Sequence, residues 1–149
     1  MNLRILDSEL SVCKISSPVE IPFQDEFVFV GKTNEELSLV CNTKSVPKTS
    51  ITREDGWRGF RVEEGKLAFP LIGIIAKISG ILAENNISVF VISTFNTDYV
   101  LIKADQLERA SGLLEENDYR FVGAANRLSD SPLIYISDPV DTKDENNGM

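Results

Sequence analysis

A glycine at the start of one predicted helix and a polar group in one predicted hairpin are the features best suited to bind a small molecule. Gly73 begins a helix predicted over residues 73–84, where the first backbone N–H groups lack partners within the helix and the dipole is positive. Main-chain groups alone can hold a carboxylate there. The hairpin adds hydroxyls, one aromatic ring and one carboxylate, from Ser93, Thr94, Phe95, Thr97 and Asp98. An anion site beside a carboxylate complements a free α-amino acid.

The composition argues against several other kinds of chemistry. The chain of 149 residues has a formal net charge of −8 and no histidine, which is the commonest general base and metal ligand at neutral pH. Its basic residues are scattered, so we expect no nucleic-acid partner. Cys13 and Cys41 lie in apolar runs without metal-ligand or disulfide spacing. We therefore expect no metal, no cofactor and no catalytic residue.

The absence of targeting signals in the sequence suggests a location. Residues 1–10 mix charges with leucines and lack the pattern of a secretory signal. No apolar stretch is long enough to span a bilayer. We therefore expect a cytoplasmic protein with no membrane partner.

The elements that must position the candidate site follow a strand, helix, strand, strand, helix, strand order. A short first strand is predicted near residues 67–69, and apolar residues at helical spacing predict a helix over 73–84 that ends at Asn85 and Asn86. Residues 87–95 and 99–103 are typical of a hairpin. A second amphipathic helix ends near Asn117, and residues 119–122 read as a closing strand.

The first half of the chain reads as a smaller version of the second. We predict a strand over 11–16, a hairpin from 27–30 and 37–41, and a strand over 57–62. A gap-free shift of 62 residues lays this hairpin over the later one, with Glu36 on Asp98 and Leu39 on Leu101. The predicted fold is α+β with two units, residues 1–64 and 65–127. Residues 128–149 are predicted to be an extension with a disordered acidic tail.

The motif segments resemble ACT-domain proteins of the type shared by small bacterial ACT-domain proteins, eukaryotic arginine sensors and aspartokinase regulatory regions. The resemblance is carried by the strings LAFPLIGII at 67–75 and ISTFNTDYVL at 92–101, and more weakly by 36–41 and 57–62. It implies two ferredoxin-like βαββαβ units with antiparallel sheets and helices on one face, the first unit being reduced.

The resemblance also implies an amino-acid site at the start of the first helix of one unit, near another unit. Gly73 and Ile74 would offer main-chain contacts, and Asp98 would pair with an ammonium or guanidinium group. The ligand-binding residues implied are Phe69, Leu71, Gly73, Ile74, Ser93, Thr94, Phe95, Thr97 and Asp98. Leu71 stands where the arginine sensors look more specialised, so arginine itself is not implied.

Each candidate also has a purely structural interpretation. Gly73 can serve a tight turn, Thr97 and Asp98 can be ordinary hairpin residues, and Phe95 can belong to the core. A protein-interaction or dimerisation module without ligand is therefore the alternative function. An acyl-phosphate hydrolase on the same scaffold would need a basic cradle, and residues 16–26 contain no arginine or lysine.

The strand predicted over 87–95 is apolar on both faces, with Val89 and Val91 on one and Phe90 and Ile92 on the other. One face of an open antiparallel sheet is normally wet. Either the other half of the chain or a second copy must cover it, which makes a homodimer one of the two expectations.

Overall fold

The computed structural model describes residues 1–63 and 73–122. The predicted strand near 67–69, the candidate residues Phe69 and Leu71, and the predicted tail over 128–149 lie outside these residues. The strands are β1 Asn2–Ile5, β2 Leu10–Lys14, β3 Phe29–Lys32, β4 Leu37–Asn42, β5 Thr52–Val62, β6 Phe90–Ser93, β7 Asp98–Lys103 and β8 Arg120–Phe121. The helices are α1 Ile74–Glu84 and α2 Leu107–Glu116, and short 3-10 turns cover Pro18–Glu20, Thr43–Ser45 and Ala104–Gln106.

The eleven-residue strand β5 is the centre of the sheet. Along one edge it pairs with β2 through residues 52–57 and with β1 through residues 60–62. Along the other edge it pairs with β7 through residues 57–61. Strands β4 and β3 extend the sheet beyond β2, β8 lies beyond β1, and β6 lies beyond β7. One strand thus belongs to both halves of the chain.

A bulge at Gly56 marks the point where β5 passes from one half to the other. The register with β2 shifts between Leu10 and Val12, so Asp55 and Gly56 face the single residue Ser11. Gly56 has φ 85°, a left-handed conformation that a side chain disfavours. Ser11, which is buried, donates a hydrogen bond to Asp55 Oδ1 at 2.6 Å and holds the bulge in place.

From α1 onward the second half follows the predicted helix, strand, strand, helix, strand order, while the strand before α1 is β5, which was predicted to belong to the first half. From β5 the chain runs through α1, β6, β7, α2 and β8. Buried residues of both helices pack with β1, β5 and β7 in the first core cluster: Leu3, Ile5, Phe60, Val62, Ile78, Leu82, Ile87, Val100, Ile102, Leu107, Ala110, Leu114 and Tyr119. Strand β1 was not predicted, and it lies between β5 and β8, antiparallel to one and parallel to the other. The N-terminal residues therefore complete the sheet of the second half.

The two hairpins correspond at a shift of 61 residues, so the predicted shift of 62 is wrong by one. Adding 61 to the residue numbers of β3 gives those of β6, and the same holds for β4 and β7. It also holds for the 3-10 turns at 43–45 and 104–106. Strands β4 and β7 also share one burial pattern along their six residues. Asp98 thus corresponds to Leu37 and not to Glu36. The error matters because a slip of one residue exchanges the two faces of a strand.

The first half lacks helices of ordinary length. Where the second half has α1, the first has the turn Pro18–Glu20 and its flanking loop. Asp25 accepts a hydrogen bond from Ser45 and Glu20 accepts one from Thr49, which holds this loop against the strands. A separate core cluster lies beneath it, made of Cys13, Ile15, Leu39, Cys41 and Val46. The predicted reduction of the first half is confirmed.

A central cluster joins the two halves on the other face of the sheet. Its buried members are Leu6, Leu10, Val40, Trp57 and Leu101, and Phe27, Phe29, Phe90, Ile92 and Tyr99 pack against them. The rings of Phe29 and Tyr99 lie 5.0 Å apart, and those of Trp57 and Phe90 lie 5.9 Å apart. Packing within the chain therefore covers part of the side chains of Phe90 and Ile92. This was one of the two explanations offered for the doubly apolar strand, which itself spans only Phe90–Ser93.

Candidate functional site

Strands β5 and β6 end at the same edge of the sheet, because both are antiparallel to β7 and they therefore run parallel to each other. Helix α1 follows β5 and precedes β6 in the chain. A crossover of this kind is expected to begin at the carboxyl edge of the sheet, so the topology predicts Gly73 on the same edge as residues 93–98.

Gly73 caps the helix with a left-handed backbone and an open surrounding. Its φ and ψ are 82° and 3°, it is exposed, and among the described residues no neighbouring atom lies within 4 Å of where a Cβ would be. Its carbonyl accepts the N–H of Lys77 at 2.9 Å, while no side chain caps the first turn. The side chain of Ile74 packs against the first core cluster, so only its main chain can face a ligand.

Ser93 and Asp98 are direct cross-strand partners, and Ser93 Oγ donates a hydrogen bond to Asp98 Oδ1 at 2.6 Å. Asp98 alternates with Val100 and Ile102, both of which belong to the first core cluster under the helices. The carboxylate is therefore on the helix face of the sheet, the face on which α1 packs. It is partly buried, whereas Ser93 is exposed.

Phe95 lies in the connection between the two strands and is 103% exposed. The interpretation of Phe95 as a core residue is therefore wrong. The connection itself is held by Thr94, whose N–H and hydroxyl both donate to the carbonyl of Thr97, at 2.9 and 3.0 Å. An exposed ring thus stands on a hydrogen-bonded turn beside the candidate site.

Thr97 turns its hydroxyl away from the turn and towards β5. Its Oγ1 donates a hydrogen bond to the carbonyl of Val62 at 2.9 Å. The N–H of the same peptide unit, that of Glu63, donates to the carbonyl of Asn2 on β1 at 2.8 Å. Sequence reasoning missed Asn2, Val62 and Glu63. The alternation of polar and apolar residues over 2–5 is the signal of β1 in the sequence, but it spans only four residues.

Two arginines meet the carboxylate of Glu63 at the end of β5. Arg4 and Arg61 are direct cross-strand partners, and the Nε atoms of both contact Glu63 Oε1, at 3.2 and 2.9 Å. Partial burial alone would raise the pKa of Glu63, but the hydrogen bonds and charges of the two arginines outweigh it and lower this pKa below 4.5. The carboxylate of Glu63 thus offsets the repulsion between the two arginines, which lie directly opposite each other on neighbouring strands.

The two cysteines are poor nucleophiles at neutral pH. Both are buried free thiols, and burial raises the pKa of Cys13 above its usual 9.0 and that of Cys41 to about 12. Within residues 1–63 and 73–122, no three side chains of the His, Cys, Asp or Glu type gather into a metal site. None of the helices in the described part has the combination of length and apolar character needed to cross a membrane.

The fold and the site geometry together define a ferredoxin-like α+β protein with its candidate site at the carboxyl edge of β5 and β6. Residues 52–116 match the model of the ACT domain. This segment, which is less than half of the chain, is similar to an ACT domain. The matched segment begins with β5 and ends with α2, and it therefore leaves out β1.

Curated relatives include proteins named as arginine sensors. The cytosolic arginine sensor for mTORC1 subunit 1 of Rattus norvegicus is 37% identical over 97 residues, which cover 64% of this chain and 29% of that protein. The Homo sapiens protein of the same name is 45% identical over 49 residues, covering 33% and 15%. The chain thus spans less than a third of the length of these relatives.

Solved structures share the fold across most of the described chain. A protein of Agobacterium tumefaciens is 28% identical with a TM-score of 0.73, covering 81% of this chain and 91% of that one. E. coli aspartokinase III in complex with aspartate and ADP has a TM-score of 0.54 at 11% identity, covering 77% and 32%. At that identity the second likeness is one of fold alone.

Proposed function

We propose that this chain is a non-catalytic, regulatory amino-acid-binding protein of the cytoplasm. Its ligand is held between the first turn of α1 and the β6–β7 hairpin. The observation that supports the proposal is that β5 and β6 end at one edge of the sheet, where Asp98 pairs with Ser93, while α1 begins at Gly73 with no side-chain cap among the described residues. The names of the curated relatives, as arginine sensors, support a free amino acid as the partner.

The chemistry of the two sides defines how an amino acid would be oriented. Its carboxylate accepts hydrogen bonds from the N–H groups of Ile74 and the residues after it. Asp98 Oδ1 is already bonded to Ser93, so Oδ2 is the atom that receives an ammonium or guanidinium group. Thr94 and Phe95 border the ligand on the hairpin side. Phe69 and Leu71, which lie outside the described residues, complete the proposed set of ligand-binding residues.

One ligand per chain follows from the difference between the two hairpins. At the structural shift of 61, Lys32 stands where the second hairpin has Ser93, and Leu37 stands where it has Asp98. A three-residue turn also replaces α1. The first unit, residues 1–64, therefore lacks both the carboxylate and the helix start, and only the second unit, residues 65–127, binds ligand.

Regulation requires only that the ligand prefers one arrangement of the chain or of its assembly. A ligand present at a hundredfold its dissociation constant, and bound by one arrangement only, biases the equilibrium by about 2.7 kcal/mol. That is enough to change which arrangement predominates.

Titration calorimetry with each of the twenty amino acids tests the proposal, beginning with L-arginine. We expect one of them to bind with one site per chain. Asp98→Asn removes the charge at nearly constant shape and should weaken binding by about tenfold or more, as for the loss of a charge-assisted hydrogen bond.

Glu36→Gln is the matched control, because it removes an acidic group at the corresponding turn of the first hairpin. It should leave the affinity unchanged. No heat from any amino acid with the wild-type chain would contradict the proposal, and so would equal losses in the two variants.

A homodimer is the assembly we propose for this protein. Phe95 is fully exposed beside β6, which pairs along one edge only in the described sheet, so an aromatic anchor adjoins a free strand edge. Light scattering after size-exclusion chromatography should give twice the 16.6 kDa of the chain. Phe95→Ser should shift the equilibrium towards monomer, with Phe23→Ser, an exposed phenylalanine of the first half, as control. A wild-type species of 16.6 kDa alone would refute the dimer.

A further inference from the structure

The peptide unit between Val62 and Glu63 is hydrogen-bonded on both sides, to two segments far apart in the sequence. Its carbonyl accepts from Thr97 Oγ1 of the hairpin at 2.9 Å. Its N–H donates to the carbonyl of Asn2 on the N-terminal strand at 2.8 Å. A single peptide at the end of β5 therefore joins the hairpin to β1.

The hydroxyl of Thr97 takes the place of a main-chain ladder bond. The last paired residues of β5 and β7 are Arg61 and Tyr99, so Val62 lies one step beyond the ladder. The N–H of Thr97 is directed at Thr94 Oγ1, at 3.4 Å, and does not serve the carbonyl of Val62. Val62 is only 6% exposed, and its carbonyl would be left without this partner if the hydroxyl were removed.

The residue after this peptide is fixed as well. Glu63 forms ion pairs with Arg4 of β1 and with Arg61, and its N–H bonds to Asn2. Three contacts therefore fix the residue at which the chain leaves β5. Thr97 also stabilises the β6–β7 turn, because its carbonyl accepts hydrogen bonds from both the N–H and the hydroxyl of Thr94.

We propose that Thr97 is a positioning residue of the amino-acid site and makes no contact with the ligand itself. It fastens the hairpin that carries Thr94 and Asp98 to the end of β5, and through the Val62–Glu63 peptide it ties that hairpin to β1. The inference rests on the proposed function and changes one part of it, since Thr97 was expected to contact the ligand. It also makes the N-terminal strand, which the matched ACT segment leaves out, part of the support of the site.

Three variants of the full chain separate positioning from ordinary stability. Thr97→Val removes the hydroxyl at constant shape, and Thr97→Ser keeps the hydroxyl. Thr33→Val removes a hydroxyl from the other hairpin, where Thr33 Oγ1 accepts the N–H of Glu35 at 3.1 Å. Each is compared with the wild type by amide hydrogen exchange and by titration calorimetry.

The exchange measurement needs no ligand. In Thr97→Val we expect the amides of Glu63 and Thr94 to exchange about tenfold faster or more, because both report local opening around the lost bond. Thr97→Ser and Thr33→Val should change these rates by less than about threefold. Unchanged exchange in Thr97→Val, or equal acceleration in Thr33→Val, would overturn the proposed anchor.

The binding measurement uses L-arginine first and then the other amino acids. Thr97→Val should weaken the binding by about tenfold, which corresponds to about 1.4 kcal/mol, while Thr97→Ser and Thr33→Val retain wild-type affinity. Wild-type affinity in Thr97→Val would overturn the positioning role. Absence of binding by the wild-type chain would refute the proposed function alone, and the exchange rates would still decide whether Thr97 anchors the hairpin.

Discussion

At the scale of single residues, the end of β5 combines a carboxylate with two guanidinium groups that are each about one-third exposed. Glu63 is 30% exposed, and its partners Arg4 and Arg61 are 38% and 33% exposed. Ion pairs of this exposure contribute only about 0–1 kcal/mol to stability. The ion pairs of Glu63 therefore add little to the free energy of unfolding, and their contribution is best detected through its dependence on pH.

Glu63→Gln tests this dependence. Because the arginines lower the pKa of Glu63 below 4.5, the folded state is stabilised above that pH and loses the contribution as pH falls through the folded-state pKa. The variant should be less stable than wild type at neutral pH, by up to about 1 kcal/mol. The two should converge once the pH has fallen below the lowered pKa of Glu63 in the folded state, where the wild-type carboxylate is protonated in both states. Urea denaturation across the pH range measures the difference.

Glu36→Gln again serves as the control, because Glu36 is exposed and forms no ion pair with any residue of 1–63 or 73–122. Its difference from wild type should be small and flat with pH. A Glu63→Gln difference that stayed constant from acid to neutral pH would argue against the two arginines as its cause.

The residues of the candidate site were predictable as a group from their types, but their individual roles were not. Ser93 bonds to Asp98 and Thr94 bonds to Thr97, which makes two hydrogen-bonded pairs at the hairpin. The side of the strand to which Asp98 belongs, the exposure of Phe95 and the attachment of Thr97 to Val62 depend on register and on a neighbouring strand. The sequence shows that a residue has a hydroxyl group, but it does not show which carbonyl that hydroxyl will donate to.

At the scale of elements, the bulge in β5 depends on the conformation of one glycine. We expect Gly56→Ala to destabilise the protein by about 1–2 kcal/mol, the usual cost of a side chain in the left-handed region. Crowding is not the cause, since the nearest atom to an added Cβ would be Lys103 Nζ at 3.9 Å. Thermal or urea denaturation measures the change.

Gly80→Ala is the matched control for Gly56→Ala. Gly80 lies inside α1, where no atom lies within 4 Å of an added Cβ. Alanine there should stabilise the helix by up to about 1 kcal/mol. The prediction for Gly56 would be wrong if both substitutions stabilised the protein.

Elements with a strong local pattern were predicted well, and those without one were missed. The helix predicted over 73–84 is confirmed as α1, and its exit at Asn85 and Asn86 is confirmed by the φ of 63° at Asn86. This helix was predictable because five apolar residues share one helical face. Strand β1 was missed because four residues carry too little periodicity. The hairpin repeat was displaced by one residue because apolar runs such as 39–41 match equally well in adjacent registers.

At the scale of the whole molecule, the halves share a strand and a core cluster and should unfold together. Trp57 is the single tryptophan, is 7% exposed, and lies in the central cluster with Leu6, Leu10 and Val40 of the first half and Leu101 of the second. Its fluorescence therefore reports on the junction, whereas helical circular dichroism reports on α1 and α2 of the second half. We expect the two urea transitions to coincide within error.

Val40→Ala should move both transitions to lower urea together, because it removes a buried side chain from the junction. Such a truncation costs about 1–3 kcal/mol, less than the usual leucine-to-alanine loss. Two separate transitions, or a shift of the fluorescence transition alone, would show that the halves unfold as independent units.

The amino-acid sequence by itself determined the α+β class, both helices, both hairpins and the ACT resemblance, because these follow from local periodicity, turn residues and a contiguous motif. Only the tertiary structure decided that β1 completes the second sheet, that β5 serves both halves and that Phe90 packs inside the chain. It also decided that Thr97 faces Val62. Each of these depends on which distant backbone groups find each other, and that pairing is set by the free energy of the whole sheet and core.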